Sequence, residues 1–387
     1  MTVSHWRRSP TPTRVECDVV VIGGGIAGVS AALAFQRRGL SVRVLERHTL
    51  GWGASSRNAG FLMRGNADHY AAACEQYGRE RARWLWRFSE ENLAALRAEG
   101  IESLASYRRV PSKLLALDGA QREELKRSAD LLAEDGFTVG WEESGEDAVW
   151  RSGRILGALV NPDDASVNSW DLMRLLAERL ARPVDENQEV FAVEADDAAV
   201  RVRTADHEFA APRVMVCTNA YGPLLFPALE GLVTPRRGQM IALRYPEDRG
   251  VRLDASYYFN HGSEYARQTP EGTIVFGGCR TYHAEREVGY EDRTTPWVQE
   301  SIERWARDVI GDGFEVTARW AGTMGFSPDG QPIVGPMPGI DEPRRRVWFC
   351  GGFTGHGMSI GHLTARGAAE AMLDGADSPF QRGVTPP

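Results

Sequence analysis

The sequence predicts an α/β chain in which a strand–turn–helix–strand unit is followed by a β-rich region. Three observations predict it. Residues 15–46 read as strand, glycine turn, helix and strand. Residues 238–278 change to short β-branched and aromatic runs punctuated by Gly and Pro. A length of 387 residues suffices for two or three cores.

The first unit opens with the apolar run VVVI (19–22), which has the length and branching of a buried strand. It breaks at Gly23, Gly25 and Gly28, spaced G-x-G-x-x-G. Small residues at helical spacing follow from 29 to 38, Gly39 stops them, and a second strand over 41–45 ends at Glu46. Gly23 permits the sharp turn, Gly25 lets backbone N–H groups approach a pyrophosphate, and Gly28 lets helix and strand pack closely. The helix start, with Ile26 and Ala27, offers free N–H groups and a positive dipole end to phosphates. Glu46, next to Arg47, can accept from an adenosine ribose and would repel a 2′-phosphate. Taken together this reads as a dinucleotide site, without choosing between NAD and FAD.

Composition narrows the class. The chain is 42% hydrophobic and 25% charged, as soluble globular proteins are, and its net charge is −8, which argues against a general nucleic-acid binder. No apolar run approaches 18 residues, so no transmembrane helix is expected. The leading MTVSHWRRSPTPTR lacks an apolar core and reads as a flexible lead. The five cysteines are scattered and never C-x-x-C, which suits a cytoplasmic, reducing location; the eight histidines show no ligand spacing, and no metal is expected.

Along the chain, RHTLGWGASSRNAGFLMRG (47–65) has too many small residues for a helix. It reads as a loop hugging something flat and polar, with Arg57 and Asn58 as donors and Ala54, Ser55, Ala59 and Gly60 allowing close approach. Residues 68–100 form a helical block whose Trp84, Leu85 and Phe88 face a core. A strand over 107–117 precedes a helix over 120–135. A helix over 169–182 follows, capped by Ser169 or Asn168. Short strands over 190–193, 200–203 and 214–217 read as a meander ending at Thr218 and Asn219, a strand end abutting a cofactor. RGQMIALRY, SYYFNHG, YARQTP and TIVFGGC are strands, 296–310 is a helix, and 314–320 returns to strand. CGGFTGHGMSIG (350–361) links a strand to a last helix.

Four motifs in order carry a family resemblance: the glycine turn with Glu46, GASSRNAG (53–60), WAGTMGFSPDGQPIVG (320–335) and CGGFTGHGMSIG. Together they resemble the FAD-dependent oxidoreductases of the D-amino-acid oxidase type, a family that includes sarcosine and glycine oxidases. The similarity runs from about residue 15 to 373 and is greatest to the gamma-glutamylputrescine oxidase-like branch. That branch shares G-A-S-x-R-N-x-G, P-x-R-G-Q (235–239), and an aromatic pair, Tyr257 and Tyr258, followed by F-G-G (276–278).

The resemblance implies a Rossmann-like FAD domain assembled from 1–101, 153–232 and 321–387, and a mostly antiparallel substrate domain from 102–152 and 233–320. It implies that Gly23, Gly25, Gly28 and Glu46 hold the ADP half and that Val190 presents backbone to adenine. Ala54, Ser55, Arg57, Asn58 and Gly60 would line the isoalloxazine, and Arg47, Ala59 and Gly322 are further cofactor-binding candidates. Gly352, Gly355, His356, Gly357 and Met358 would hold its pyrimidine edge. Met324 stands where relatives that oxidise free α-amino acids carry a carboxylate-gripping arginine, which makes glycine and free D-amino acids poorer substrates. Gly322 lies near the place where the sarcosine branch attaches flavin through cysteine, which favours non-covalent FAD.

The implied chemistry is oxidation of a C–N bond in an amine or amino-acid derivative, with O2 as acceptor. Phe61, Tyr257 and Tyr258 are expected walls of the substrate pocket, and Tyr258, Arg280 and His356 candidate catalytic groups. The strand that supplies an oxygen-activating lysine in sarcosine oxidase relatives here offers Arg280 and His283. A dehydrogenase passing electrons to a quinone or carrier is the first alternative, and a flavoprotein modifying an RNA base or biosynthetic intermediate the second. The sequence does not set the oligomeric state.

Overall fold

The computed structural model describes residues 12–66, 68–340, 345–375, 378, 380 and 381; residues 1–11 of the expected flexible lead lie outside them. The organising layer is a five-stranded sheet in the order Ile333–Pro336, Val347–Gly351, Arg213–Val216, Val19–Ile22, Val42–Leu45. Its last four strands are parallel, and Ile333–Pro336 pairs antiparallel at the edge. Because side chains alternate along a strand, Val19 and Val21 enter one core and Val20 and Ile22 another. The first core is closed by the helices Ile26–Arg37 and Gly357–Asp374, whose Ala31, Ala34, Ala365 and Ala368 allow close packing. The second is closed by a small four-stranded sheet, ordered Thr13–Glu16, His207–Ala211, Val200–Arg203, Ala192–Ala195.

The other half is an eight-stranded sheet. Its order is Glu315–Phe326, Thr234–Arg244, Ile274–Gly278, Glu264–Gln268, Ser256–Phe259, Ser112–Ala116, Gly157–Asn161, Gly140–Glu142. All neighbours are antiparallel except Ser256–Phe259 with Ser112–Ala116. One face lies under the helix Pro296–Ile310, which has Pro at its first turn and buries Val298, Ile302, Ala306 and Val309. The opposite face, with Met240, Tyr258 and Tyr265, turns toward the loop of Ala59 and Phe61. Under the strands, Arg237 and Glu287 form a buried ion pair at 2.7 Å; Gln239, Thr295 and Trp297 supply further donors to the carboxylate. Burial works against that charge, yet these bonds hold the Glu287 carboxyl below its ordinary range.

Several expectations are corrected. The helical block over 68–100 is two helices, Tyr70–Tyr77 and Arg79–Ala98, broken at Gly78, whose φ of 81° no helix interior accepts. The helix predicted over 169–182 is Ser169–Ala177, capped by Asn168 as expected; Pro183 disfavours helical backbone just before it. The three-strand meander is completed by the unforeseen His207–Ala211, while Arg213–Val216 crosses into the parallel sheet. The strand Gly157–Asn161, assigned by the expected boundaries to the first domain, is hydrogen-bonded into the eight-stranded sheet.

Candidate functional site

A cavity of about 540 Å³ lies between the carboxyl ends of the parallel strands, marked by Ile22, Leu45 and Cys217, and the inner face of the eight-stranded sheet. Gly23, Gly25, Ile26 and Ala27 line it from the first helix, and Glu46, Arg47 and Val190 from the adjacent strand ends. Glu46 is held for use: one carboxylate oxygen accepts from Gly24 N–H at 2.7 Å, the other from His48 N–H at 2.9 Å. Each oxygen keeps a lone pair for a hydroxyl. Gly28 sits behind the lining, where a Cβ would overlap the Gly23 carbonyl oxygen.

The loop after Glu46 supplies Ala54, Ser55, Arg57, Asn58 and Ala59 to the wall. Ser55 Oγ accepts from Ile26 N–H at 2.9 Å, which joins this loop to the helix start. Asn58, expected as a donor to a ligand, instead organises the loop. Its amide donates to the carbonyls of Ala54 and Ser55 at 2.9 and 3.0 Å, and its carbonyl accepts from Gly60 N–H. Gly60 is a backbone position against Val167 and does not line the cavity. Arg57 pairs with Asp292, stacks on Trp52 and donates to the Ala321 carbonyl at 3.3 Å.

Thr218, Asn219, Gly322, Gly355, His356, Gly357 and Met358 complete the opposite wall. Asn219, at φ 45°, accepts from Gly352 N–H at 2.9 Å; Gly352 thereby shapes the turn without lining the cavity. His356 precedes the first residue of the last helix, and burial lowers its imidazole to a pKa of about 4. Burial thus favours its neutral form, which suits a hydrogen-bonding or base role better than an acid one.

Phe61, Tyr258 and Tyr265 form an aromatic cage, with ring centroids 5.3–6.0 Å apart and edge-on geometry. Burial pushes the Tyr258 phenol well up and that of Tyr265 up to about 12, so both stay neutral. Met324 lies on the strand facing Gly238, where an added Cβ would come within 2.9 Å of its methyl. Arg280 stacks over Phe326 at 4.9 Å, with Arg236 over the same ring at 5.6 Å. Burial first, and Arg236 second, lower its pKa. Among the described residues no acid pairs with Arg280, which makes it a free positive charge in the cavity wall.

Tyr257 is the clear correction. It alternates with Tyr258, so it points to the opposite face and is fully buried, with its one O–H within hydrogen-bond reach of Asp147 and, at 2.6 Å, of Asp254. Tyr257→Phe should therefore leave turnover unchanged and cost about 1–3 kcal/mol of stability in a denaturant melt, because the carboxylates of Asp147 and Asp254 lose the hydroxyl shared between them. His283 also misses the cavity and contacts Ser301. Sequence reasoning missed Tyr265 and Met240. Strand alternation in register with Tyr258, its cross-strand partner, would have found Tyr265.

The lining fits FAD by its own chemistry. A Cβ at Gly25 would fall 2.9 Å from Ser55 Oγ, so only glycine leaves the backbone at this helix start open to a phosphate. Thr218 Oγ1, buried in the wall, has no hydrogen-bond partner among the described residues. Two helix N-termini, at Ile26 and Gly357, bring positive dipole ends to the same cavity.

Comparison with known proteins agrees. Gamma-glutamylputrescine oxidoreductase of Escherichia coli is 27% identical over 94% of this chain and 85% of its own length. Glycine oxidase of Bacillus licheniformis is 26% identical over 93% and 94%. Among solved structures, glycine oxidase from Geobacillus kaustophilus superposes with a TM-score of 0.76 at 21% identity, covering 96% of this chain and 99% of that one. L-proline dehydrogenase from P. horikoshii gives 0.75 at 18%, covering 96% of both. The family described as "DAO: FAD dependent oxidoreductase" matches residues 18–371, and with its glycine cradle, clamped Glu46 and two converging helix starts the chain belongs to that family.

Proposed function

We propose that the protein oxidises the C–N bond of an amine or amino-acid derivative to an imine, with O2 as the terminal acceptor. The substrate loses a hydride from carbon and a proton from nitrogen, and the two electrons reduce O2 to hydrogen peroxide. FAD, bound non-covalently, supplies the two-electron acceptor between them. The observation that carries this reading is the neutral cage of Phe61, Tyr258 and Tyr265 beside the unpaired Arg280. An amine must be uncharged to react. Apolar walls and a nearby cation both disfavour its ammonium form. The named activities of the relatives, on gamma-glutamylputrescine and glycine, support an amine donor.

Met324 in the wall offers no partner to a carboxylate, so amines that carry their acid far from the reacting nitrogen suit the site better than glycine. Under anaerobic conditions, polyamine derivatives or N-substituted amino acids should bleach the flavin's visible absorbance, and free D-amino acids should not. Bleaching by free D-amino acids alone would show the Met324 reading to be wrong.

The second reading is a dehydrogenase with another acceptor. It is favoured by the placement of the chain's two lysines: Lys113 is buried between Glu142 and Asp254, Lys126 pairs with Glu143, and neither lines the cavity. Flavin that stays reduced for minutes in air decides for it.

A further inference from the structure

His69, Glu124 and His261 are separated by 55 and 137 residues, and no ligand motif links them in the sequence. The fold brings them together. His69 precedes the helix Tyr70–Tyr77, Glu124 lies on the helix Gly119–Glu134, and His261 sits in the turn Asn260–Gly262 beyond the cage strand. The two Nε2 atoms lie 3.7 and 3.8 Å from the same Glu124 oxygen. One ligand atom from each residue falls within 4.8 Å of the others. From this geometry we infer a binding site for a zinc-class divalent cation, with two imidazoles and one carboxylate as ligands and the fourth position open to water.

The donor set is that of zinc and its neighbours in the first transition row; magnesium and calcium prefer oxygen alone. Tetrahedral bonds of about 2.0–2.2 Å put ligand atoms roughly 3.3–3.6 Å apart, so the Glu124–histidine spacings are close to those required. Drawing the two imidazoles together falls to the side with room to move: the side chains of His261 and Glu124 are 42% and 48% exposed, whereas that of His69 is 11% exposed and hydrogen-bonded. His69 Nδ1 lies 2.9 Å from Ser128 Oγ, the outer hydrogen bond that orients a ligating imidazole. Metal binding at Nε2 selects the tautomer in which Nδ1–H donates to Ser128, at the expense of the longer 3.3 Å contact from Ala72 N–H.

The surroundings favour a cation. Burial, with His261 beside it, lowers the His69 pKa, and Glu124, Asp68 and Glu75 oppose it with negative charge that would also attract a cation. His261 and Asp68 also line the flavin cavity. A bound ion would tie the turn Asn260–Gly262 to the helices Tyr70–Tyr77 and Gly119–Glu134 at its rim.

The test uses the flavin-loaded enzyme. Zn²⁺ is titrated by calorimetry, and Co²⁺ by difference absorbance for a four-coordinate signature. Two variants accompany the wild type: Glu124→Gln, on an exposed helix face, and His261→Asn, because asparagine tolerates the left-handed backbone (φ 54°) found there. One equivalent bound with Kd below about 10 μM, weakened at least tenfold in both variants, with flavin content unchanged in Glu124→Gln, is the expected result. No stoichiometric binding by the wild type, or equal binding by all three proteins, would overturn the site and leave two histidine–carboxylate contacts in its place.

Discussion

A Gly28→Ala protein should purify depleted of flavin. The added methyl would overlap the carbonyl oxygen of Gly23, so either the helix Ile26–Arg37 moves off its strand or the glycine turn opens. Overpacking of this kind costs about 1–3 kcal/mol, and here the strain falls on the backbone that must meet the pyrophosphate. A loss of 1.4 kcal/mol weakens binding about tenfold. The expected result is a Kd for FAD at least tenfold above wild type, a flavin-to-protein ratio below wild type after dilution and washing, and a melting temperature that needs correspondingly more FAD to recover. A variant that retains full flavin and a wild-type melt would show that the close packing of turn and helix is not required for the cofactor.

Arg280→Met should separate the two halves of the reaction. The side chain lines the cavity, stacks on Phe326 and has no acidic partner among the described residues. Methionine keeps much of the apolar volume and removes the charge. A preorganised cation facing developing negative charge contributes about 10- to 1,000-fold in rate. Air reoxidation of the reduced enzyme is therefore expected to slow by about 10–100-fold. Anaerobic reduction by an amine should change far less. Arg280→Lys should recover part of the oxygen rate, because charge and not the planar fork is what the site uses. Equal reoxidation by wild type and Arg280→Met would remove Arg280 from the oxygen step. An equal fall in both half-reactions would make it a substrate-binding residue instead.

What was legible in the sequence follows what is local. Residues 15–46 announce strand, turn, helix and acid within one stretch, and the structure keeps each of them in place. The loop of Ala54 to Ala59 was also found, although the part played by Asn58 was not: a side chain that bonds three neighbours within its own loop reads in sequence like one awaiting a ligand. The choice between Tyr257 and Tyr258 was out of reach for a different reason. Both faces of this sheet are covered by apolar groups, one by the helix Pro296–Ile310 and one by Phe61 and its neighbours. The usual inside–outside alternation therefore carries no sign. His69, Glu124 and His261 converge only through tertiary packing, from a cap, a helix face and a left-handed turn, none of which has a periodic signature.

The paired strands Thr234–Arg244 and Glu315–Phe326 run side by side for their whole length, from Thr234 opposite Phe326 to Arg244 opposite Glu315. Their inner end is anchored in the other half of the molecule. A Cβ at Gly325 would fall 2.6 Å from Asn219 Oδ1, its carbonyl accepts from Thr354 N–H at 2.8 Å, and Phe326 bridges to Phe353. The ribbon therefore seams the two sheets together through backbone as well as side chains, and closes the chamber between them at that end. At the chamber's rim lies the turn Asn260–Gly262, with Asn260 and His261 both in the left-handed region.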